Sequence, residues 1–195
     1  MNRNTLAVAA LAATIATLAG ATAPATAASG NAEIRVSLQH RIDRQVDASV
    51  HALATIEANR LESLEADNRA EVRGSIDADV AALVELRAEA DSDATVAELR
   101  DLLTSVQEYR AAVYAKAVVI INAAERLEAN VQVTLASTVS AALTAILDEV
   151  STQLDVTVDA ALDLDATSTG GEVAEVRSDF AAAARAYAHA RTHAG

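Results

Sequence analysis

The sequence predicts an all-α protein, an elongated antiparallel helical bundle or coiled coil of four to five helices. Three observations predict it. Helix breakers are scarce: the one proline is Pro24, and only Gly30, Gly74, Gly170, Gly171 and Gly195 follow it. The chain is rich in Ala, Leu, Glu and Arg, which are strong helix formers. Apolar residues recur every three or four positions, the period that lines them up on one helix face. A β-sandwich or an α/β enzyme would carry more glycine, proline and aromatic residues. Here the aromatics are 2% of the chain, namely Tyr109, Tyr114, Tyr187 and Phe180.

Residues 1–27 read as a secretory signal peptide. Asn2-Arg3-Asn4 gives a positive start, 6–19 is an apolar stretch, and Ala25-Thr26-Ala27 fits a small-residue cleavage site. The apolar stretch is short for a bilayer span, which needs about 20 residues. No later segment reads as transmembrane, because the most apolar run, 111–121, is short and contains Lys116. A long-helix bundle is expected over 28–167, with a loop and a C-terminal helix packing on it over 168–195. The expected location is secreted, extracellular or associated with the cell envelope. Lysine-poor, Ala/Arg/Asp-rich usage also fits a high-GC genome.

The first helix is expected over 32–64, where Ile34, Leu38, Ile42, Val46, Val50, Leu53 and Ile56 share one stripe. Asn68 with Glu71 resembles a capping box, a pair that satisfies free amides at a helix start. A second helix over 69–90 follows, with Val72, Ile76, Val80, Leu83 and Leu86 on its stripe. Gly74 inside it costs roughly 1 kcal/mol relative to Ala, which close approach of a neighbouring helix would explain. Asp91-Ser92-Asp93 is polar punctuation, and Thr95 with Glu98 is the next capping box. The third helix carries a heptad seam: Val96, Leu99, Leu103, Val106, Arg110, Val113, Ala117, Ile120, Ala124, Leu127 and Val131. Beyond it Leu135, Val139, Leu143, Ile146, Val150, Leu154, Val158 and Leu162 step mostly by four. That drift means a break near Asn130 or a change of supercoil along one helix, and a break is the reading taken. Thr167-Ser168-Thr169-Gly170-Gly171 reads as a loop. A last helix is expected over 172–193, with Val173, Val176, Phe180, Ala184 and Tyr187 inward.

Many seam positions are alanine, and burial is worth about 25 cal/mol per Å². A narrow seam therefore gains stability through length, which favours long antiparallel helices.

Residues 64–131 resemble a group of uncharacterised secreted, α-helical, coiled-coil-like actinobacterial proteins. The likeness rests on Asp67-Asn68-Arg69, the run DADVAALVEL over 77–86, and the run ADSDATVAELR over 90–100. Tyr109-Arg110 with Tyr114, and Ala123-Ala124-Glu125-Arg126, complete it. Members often carry a proline after the tyrosine–arginine pair, where this chain has Ala111. The resemblance implies a secreted helical protein and carries no activity with it.

Composition excludes several kinds of chemistry. Without cysteine there is no disulfide scaffold, thiolate metal site or cysteine nucleophile. A formal net charge of -13 argues against nucleic-acid binding, which needs concentrated Lys and Arg. There is no G-x-S-x-G elbow and no glycine-rich phosphate loop. No catalytic residue and no cofactor are expected.

Charge is sorted along the chain, with no basic residue between Arg126 and Arg177. Asp148, Asp155, Asp159 and Asp163 fall on one helical stripe. They are the candidate ligands for divalent cations, or a surface for a basic partner; a solvated acidic face is the plainer alternative. Arg35, Arg41 and Arg44 are candidate counter-charges. Asp163-Leu164-Asp165 begins like a calcium loop but has Ser168 where glycine belongs and Ala174 where a bidentate glutamate belongs. His189 and His193 have the i, i+4 spacing that can share a metal, without an accompanying HExxH glutamate; a solvent-exposed C-terminus is the plainer reading. Arg110 inside the heptad seam can set register or partner choice if Glu85 or Glu89 meets it. Arg110, Tyr109 and Tyr114 are the expected interaction residues.

The expected function is that of a secreted non-enzymatic helical protein. It would act by protein–protein association or as a structural component of the envelope. The alternative is a carrier or binding module for an apolar ligand or divalent cations. The expected partner is a second copy of the chain or an envelope protein.

Overall fold

A computed structural model describes residues 25–90 and 93–192. Among the described residues there are six α-helices, one 3-10 turn and no strand. They are α1 (Ala25–Arg60), the 3-10 turn Leu61–Ser63, α2 (Ala66–Glu89), α3 (Val96–Glu108), α4 (Ala112–Ser137), α5 (Ala141–Leu162) and α6 (Gly170–Thr192). The helices pack against one another as an all-α bundle. Of the expected signal segment, 1–24 lies outside the described residues, while 25–27 belong to the start of α1. Asp91, Ser92 and His193 also lie outside them. No helix among the described residues is long and apolar enough to cross a membrane.

The stripe expected on the first helix is buried from Leu38 to Ile56, with Val50 half-buried; Ile34 is exposed. α2 runs back along α1. Three ion pairs tie the two: Arg73–Glu57 at 2.8 Å, Arg87–Asp43 at 2.9 Å and Arg87–Asp47 at 2.8 Å. Val72, Ile76 and Leu83 of α2 face the core. The start of α2 differs from expectation. The helix begins at Ala66, and Asn68 forms no capping box. Instead Glu125 of α4 caps α2 across space, its Oε1 accepting from the Glu65 amide at 3.0 Å and from Asn68 Nδ2 at 2.7 Å. Gly74 has open space where a Cβ would stand, so no close helix approach explains it.

Thr95 and Glu98 do form the expected capping box, with the Thr95 amide donating to Glu98 at 2.7 Å and the Glu98 amide donating to Thr95 Oγ1 at 3.2 Å. The expected third helix, however, is two helices. It breaks at residues 109–111, where Tyr109 turns extended. The Arg110 amide then donates to the Ala166 carbonyl at 2.6 Å, far along the chain. Seam residues on both sides of the break are still buried, Leu99 and Val106 before it and Val113, Ala117, Ile120 and Ala124 after it. No break occurs at Asn130, because α4 continues to Ser137. The chain turns at 138–140, and Ser140 caps α5 by accepting from the Leu143 amide at 3.4 Å. Val139, expected on the seam, stands fully exposed in that turn.

α5 runs antiparallel to α4, and α6 returns alongside both. A capping box opens α6: the Thr169 amide donates to Glu172 at 2.6 Å and the Glu172 amide donates to Thr169 Oγ1 at 3.3 Å. The larger core joins α1, α2, α3, the first half of α4, the end of α5 with the connection after it, and the start of α6. The smaller one joins the second half of α4 to α5 and the end of α6, through Val131, Leu147, Leu154, Ala183 and Tyr187. The Tyr187 hydroxyl is 3.0 Å from Thr134 Oγ1 and 3.3 Å from the Asn130 carbonyl, locking α6 onto α4.

Candidate functional site

Three places gather polar chemistry. The first is a knot inside the larger core. Asp79 of α2 accepts from the Tyr114 hydroxyl at 2.7 Å and from the Ala166 amide at 2.9 Å, both on Oδ2. With the Arg110–Ala166 bond, this joins α2, the α3–α4 break, α4 and the α5–α6 connection. Ala166 itself is fully buried. Burial pushes the Asp79 carboxyl above its ordinary value, the two hydrogen bonds pull it back, and Asp165 pushes the same way as burial. Burial, then the hydrogen bond to Asp79, push the Tyr114 phenol up strongly. The Tyr109 phenol is raised by burial first and by Asp79 next.

The second is an acidic cleft of about 470 Å³ between the start of α2, α4 and α5. Glu65, Asp67, Glu125, Glu128, Asp155 and Asp159 line it, and among the described residues no basic one does. Glu128 is half-buried in it: its Oε1 accepts from Ser151 at 2.6 Å and from Gln132 at 2.5 Å. Its Oε2 is buried without a hydrogen-bond partner. The Asp155 carboxyl is raised by partial burial, then by Glu128 and Asp159.

The third lies on the opposite flank of α4, a cleft of about 600 Å³ against α6. Its floor is apolar, with Ile120, Val173 and Phe180, and Val119 stands exposed in it. Arg60, Lys116 and Arg177 line it, and among the described residues no acidic one does.

The residues singled out from the sequence are thus divided. Asp155 and Asp159 reach the acidic cleft; Asp163 borders a different groove with Glu172, Glu175 and Asp179, and Asp148 is exposed on α5. Among the described residues no group of three or more His, Asp or Glu side chains could hold a metal ion. The calcium-like start is used internally, since Asp165 Oδ1 accepts from the Thr167 amide at 2.8 Å, from Thr167 Oγ1 at 2.7 Å and from Ser168 at 3.2 Å. Arg35, Arg41 and Arg44 make no ion pair with the α5 aspartates among the described residues. Arg110 is exposed at a helix break, with no ion pair to Glu85 or Glu89. Tyr114 is only 1% exposed, so it is a core residue and cannot meet a partner; Tyr109 is half-buried beside it. His189 is exposed near the end of α6.

The sequence reading missed Asp79, Glu128 and the cationic cleft. Asp79 had one weak signal, an acid directly before the apolar stretch 80–84. The T-x-x-E pattern of Thr169 and Glu172 was a plain helix-start signal. The chain matches no known protein family, no curated protein and no solved structure.

Proposed function

We propose that this is an exported, non-enzymatic helical-bundle protein that acts by association at the cell envelope or outside the cell. The observation supporting the reading is the sorting of charge across α4. One flank gathers six carboxylates, and the other carries Arg60, Lys116 and Arg177. None of these nine groups is ion-paired among the described residues, since the three pairs there join α1 to α2. Unneutralised fields of opposite sign steer complementary surfaces together. The partner for the acidic flank is a basic surface, and the cationic flank of a second copy is one such surface. A head-to-tail contact of this kind joins two different patches.

Light scattering behind size exclusion tests it. Expected is a mass above 20.1 kDa at low salt that falls to the monomer in about 1 M salt, where the screening length is about 3 Å. The double reversal Asp155→Lys and Asp159→Lys is expected to give the monomer at both. A wild-type monomer at low salt defeats self-association. Export predicts that chain recovered outside a producing cell starts at Ala28, which N-terminal sequencing reads.

A second reading, a carrier for an apolar ligand, is favoured by the apolar floor of the cleft between α4 and α6.

A further inference from the structure

We infer that the cleft between α4 and α6 binds a long-chain carboxylate, its head among Arg60, Lys116 and Arg177 and its chain along Ile120, Val173 and Phe180. The inference rests on the carrier reading and names its ligand class.

Charge is the first ground. The chain has 28 acidic residues against 15 Lys and Arg, yet the described lining of this cleft includes three cations and no acid. Lys116 is the sole lysine of the sequence. All three side chains are exposed, and none has an ion-pair partner among the described residues. Gly170, the first residue of α6, also borders the cleft; Glu172 caps that helix start, so the field rests on the three side chains.

Shape and polarity are the second ground. Ile120 and Val173 are each 6% exposed, Phe180 is half-buried, and Val119 leaves 58% of its surface to solvent in the same cleft. An anion alone has no use for such a floor. The volume, about 600 Å³, lies within the roughly 300–1,000 Å³ of small-molecule clefts. A second hollow of about 390 Å³ shares Arg60, Val119 and Ala123 with it and leads toward Arg126. The trough thus suits an extended chain. An anionic bilayer fits less well, because the cleft is concave and the whole chain carries -13, which a negative surface repels.

Calorimetric titration of the full chain with oleate below its micelle concentration tests this. Oleyl alcohol, acetate and phosphatidylglycerol vesicles are the comparison probes. Expected is saturable binding of one oleate, tighter at low salt, at least about tenfold weaker for the alcohol, and unmeasurable for acetate. The double variant Lys116→Glu/Arg177→Glu should lose tenfold or more in affinity while melting like wild type. Val119→Asp, a single change at an exposed position, gives the same readout should the double variant fail to fold. The inference is overturned by non-saturable oleate binding, by equal affinity for the alcohol, by displacement with acetate, or by vesicle binding that exceeds oleate binding. Unchanged affinity in a folded charge-reversed variant overturns it too. Light scattering on the same samples separates the two readings. A chain that still self-associates but ignores oleate defeats only this inference, and a monomer that binds oleate defeats only self-association.

Discussion

Asp79 and Glu128 are both half-buried acids on helices, and each accepts two hydrogen bonds. Their surroundings use them differently. The donors to Asp79 come from two other parts of the chain, so one carboxylate joins three segments. Glu128 takes its bonds from its own helix and from α5, and keeps a second oxygen buried without a partner beside Asp155. The first arrangement is a finished structural joint. The second is a half-satisfied acid at the floor of an open cleft, where further negative charge is unwelcome and positive charge is not. Burial of a carboxylate is thus a weak guide to its role, and the origin of its donors is a better one.

Four substitutions test that contrast. The largest effect is expected for Asp79→Ala, which leaves the Tyr114 hydroxyl and the Ala166 amide without an acceptor. At about 1–3 kcal/mol for each orphaned group, denaturant unfolding should show a loss of roughly 2–6 kcal/mol. A loss below about 1 kcal/mol would mean the joint is dispensable. Tyr114→Phe removes one donor and keeps the Ala166 bond, so a loss of about 1 kcal/mol is expected by the same measurement.

Gly74→Ala lies on the same helix as Asp79, faces open space, and calibrates what α2 gains from propensity alone. A rise of about 0.5–1 kcal/mol is expected, and a loss would point to an unseen contact. The smallest effect on stability is expected from Glu128→Gln. It removes one of the charges holding the Asp155 carboxyl up, so the Asp155 titration followed by NMR should move down toward the ordinary range. No movement would separate Glu128 from the cleft electrostatically.

The pH dependence follows from the directions of these shifts. Both Asp79 and Asp155 have carboxyls raised above the ordinary 3.8. A raised folded value means the native state holds the proton more tightly, so the stability these groups contribute is complete below the ordinary carboxylate range. It declines as pH rises through their raised values. Asp79→Asn keeps an acceptor and removes the desolvated charge. It should therefore melt at or above wild type at neutral pH, with the gap narrowing as the solution is acidified.

The stripes Leu38 to Ile56 and Val72 to Leu83 were readable in the sequence because each is a local spacing that burial follows directly. The Thr95 box was readable for the same reason. The break at 109–111 was not. The three-four rhythm of apolar residues runs straight across it, and what holds it is a carbonyl from Ala166. Asn68 shows the reverse error, a good local capping signal overridden by Glu125 from another helix. Asp155 and Asp159 could be placed on one stripe, but their meeting with Glu65, Asp67 and Glu128 depends on packing. The cationic cleft was hidden for the same reason, because Arg60, Lys116 and Arg177 lie on three different helices.

Ala166 is held at both its amide and its carbonyl and is fully buried. A connection between two helices is usually where a chain is cut or extended most easily. Here that freedom belongs to 138–140, where Val139 is open to solvent, and not to 165–167. Fragments for complementation, or a guest peptide, therefore belong after α4, while a nick beside Ala166 would loosen the start of α4 and its grip on α2 together.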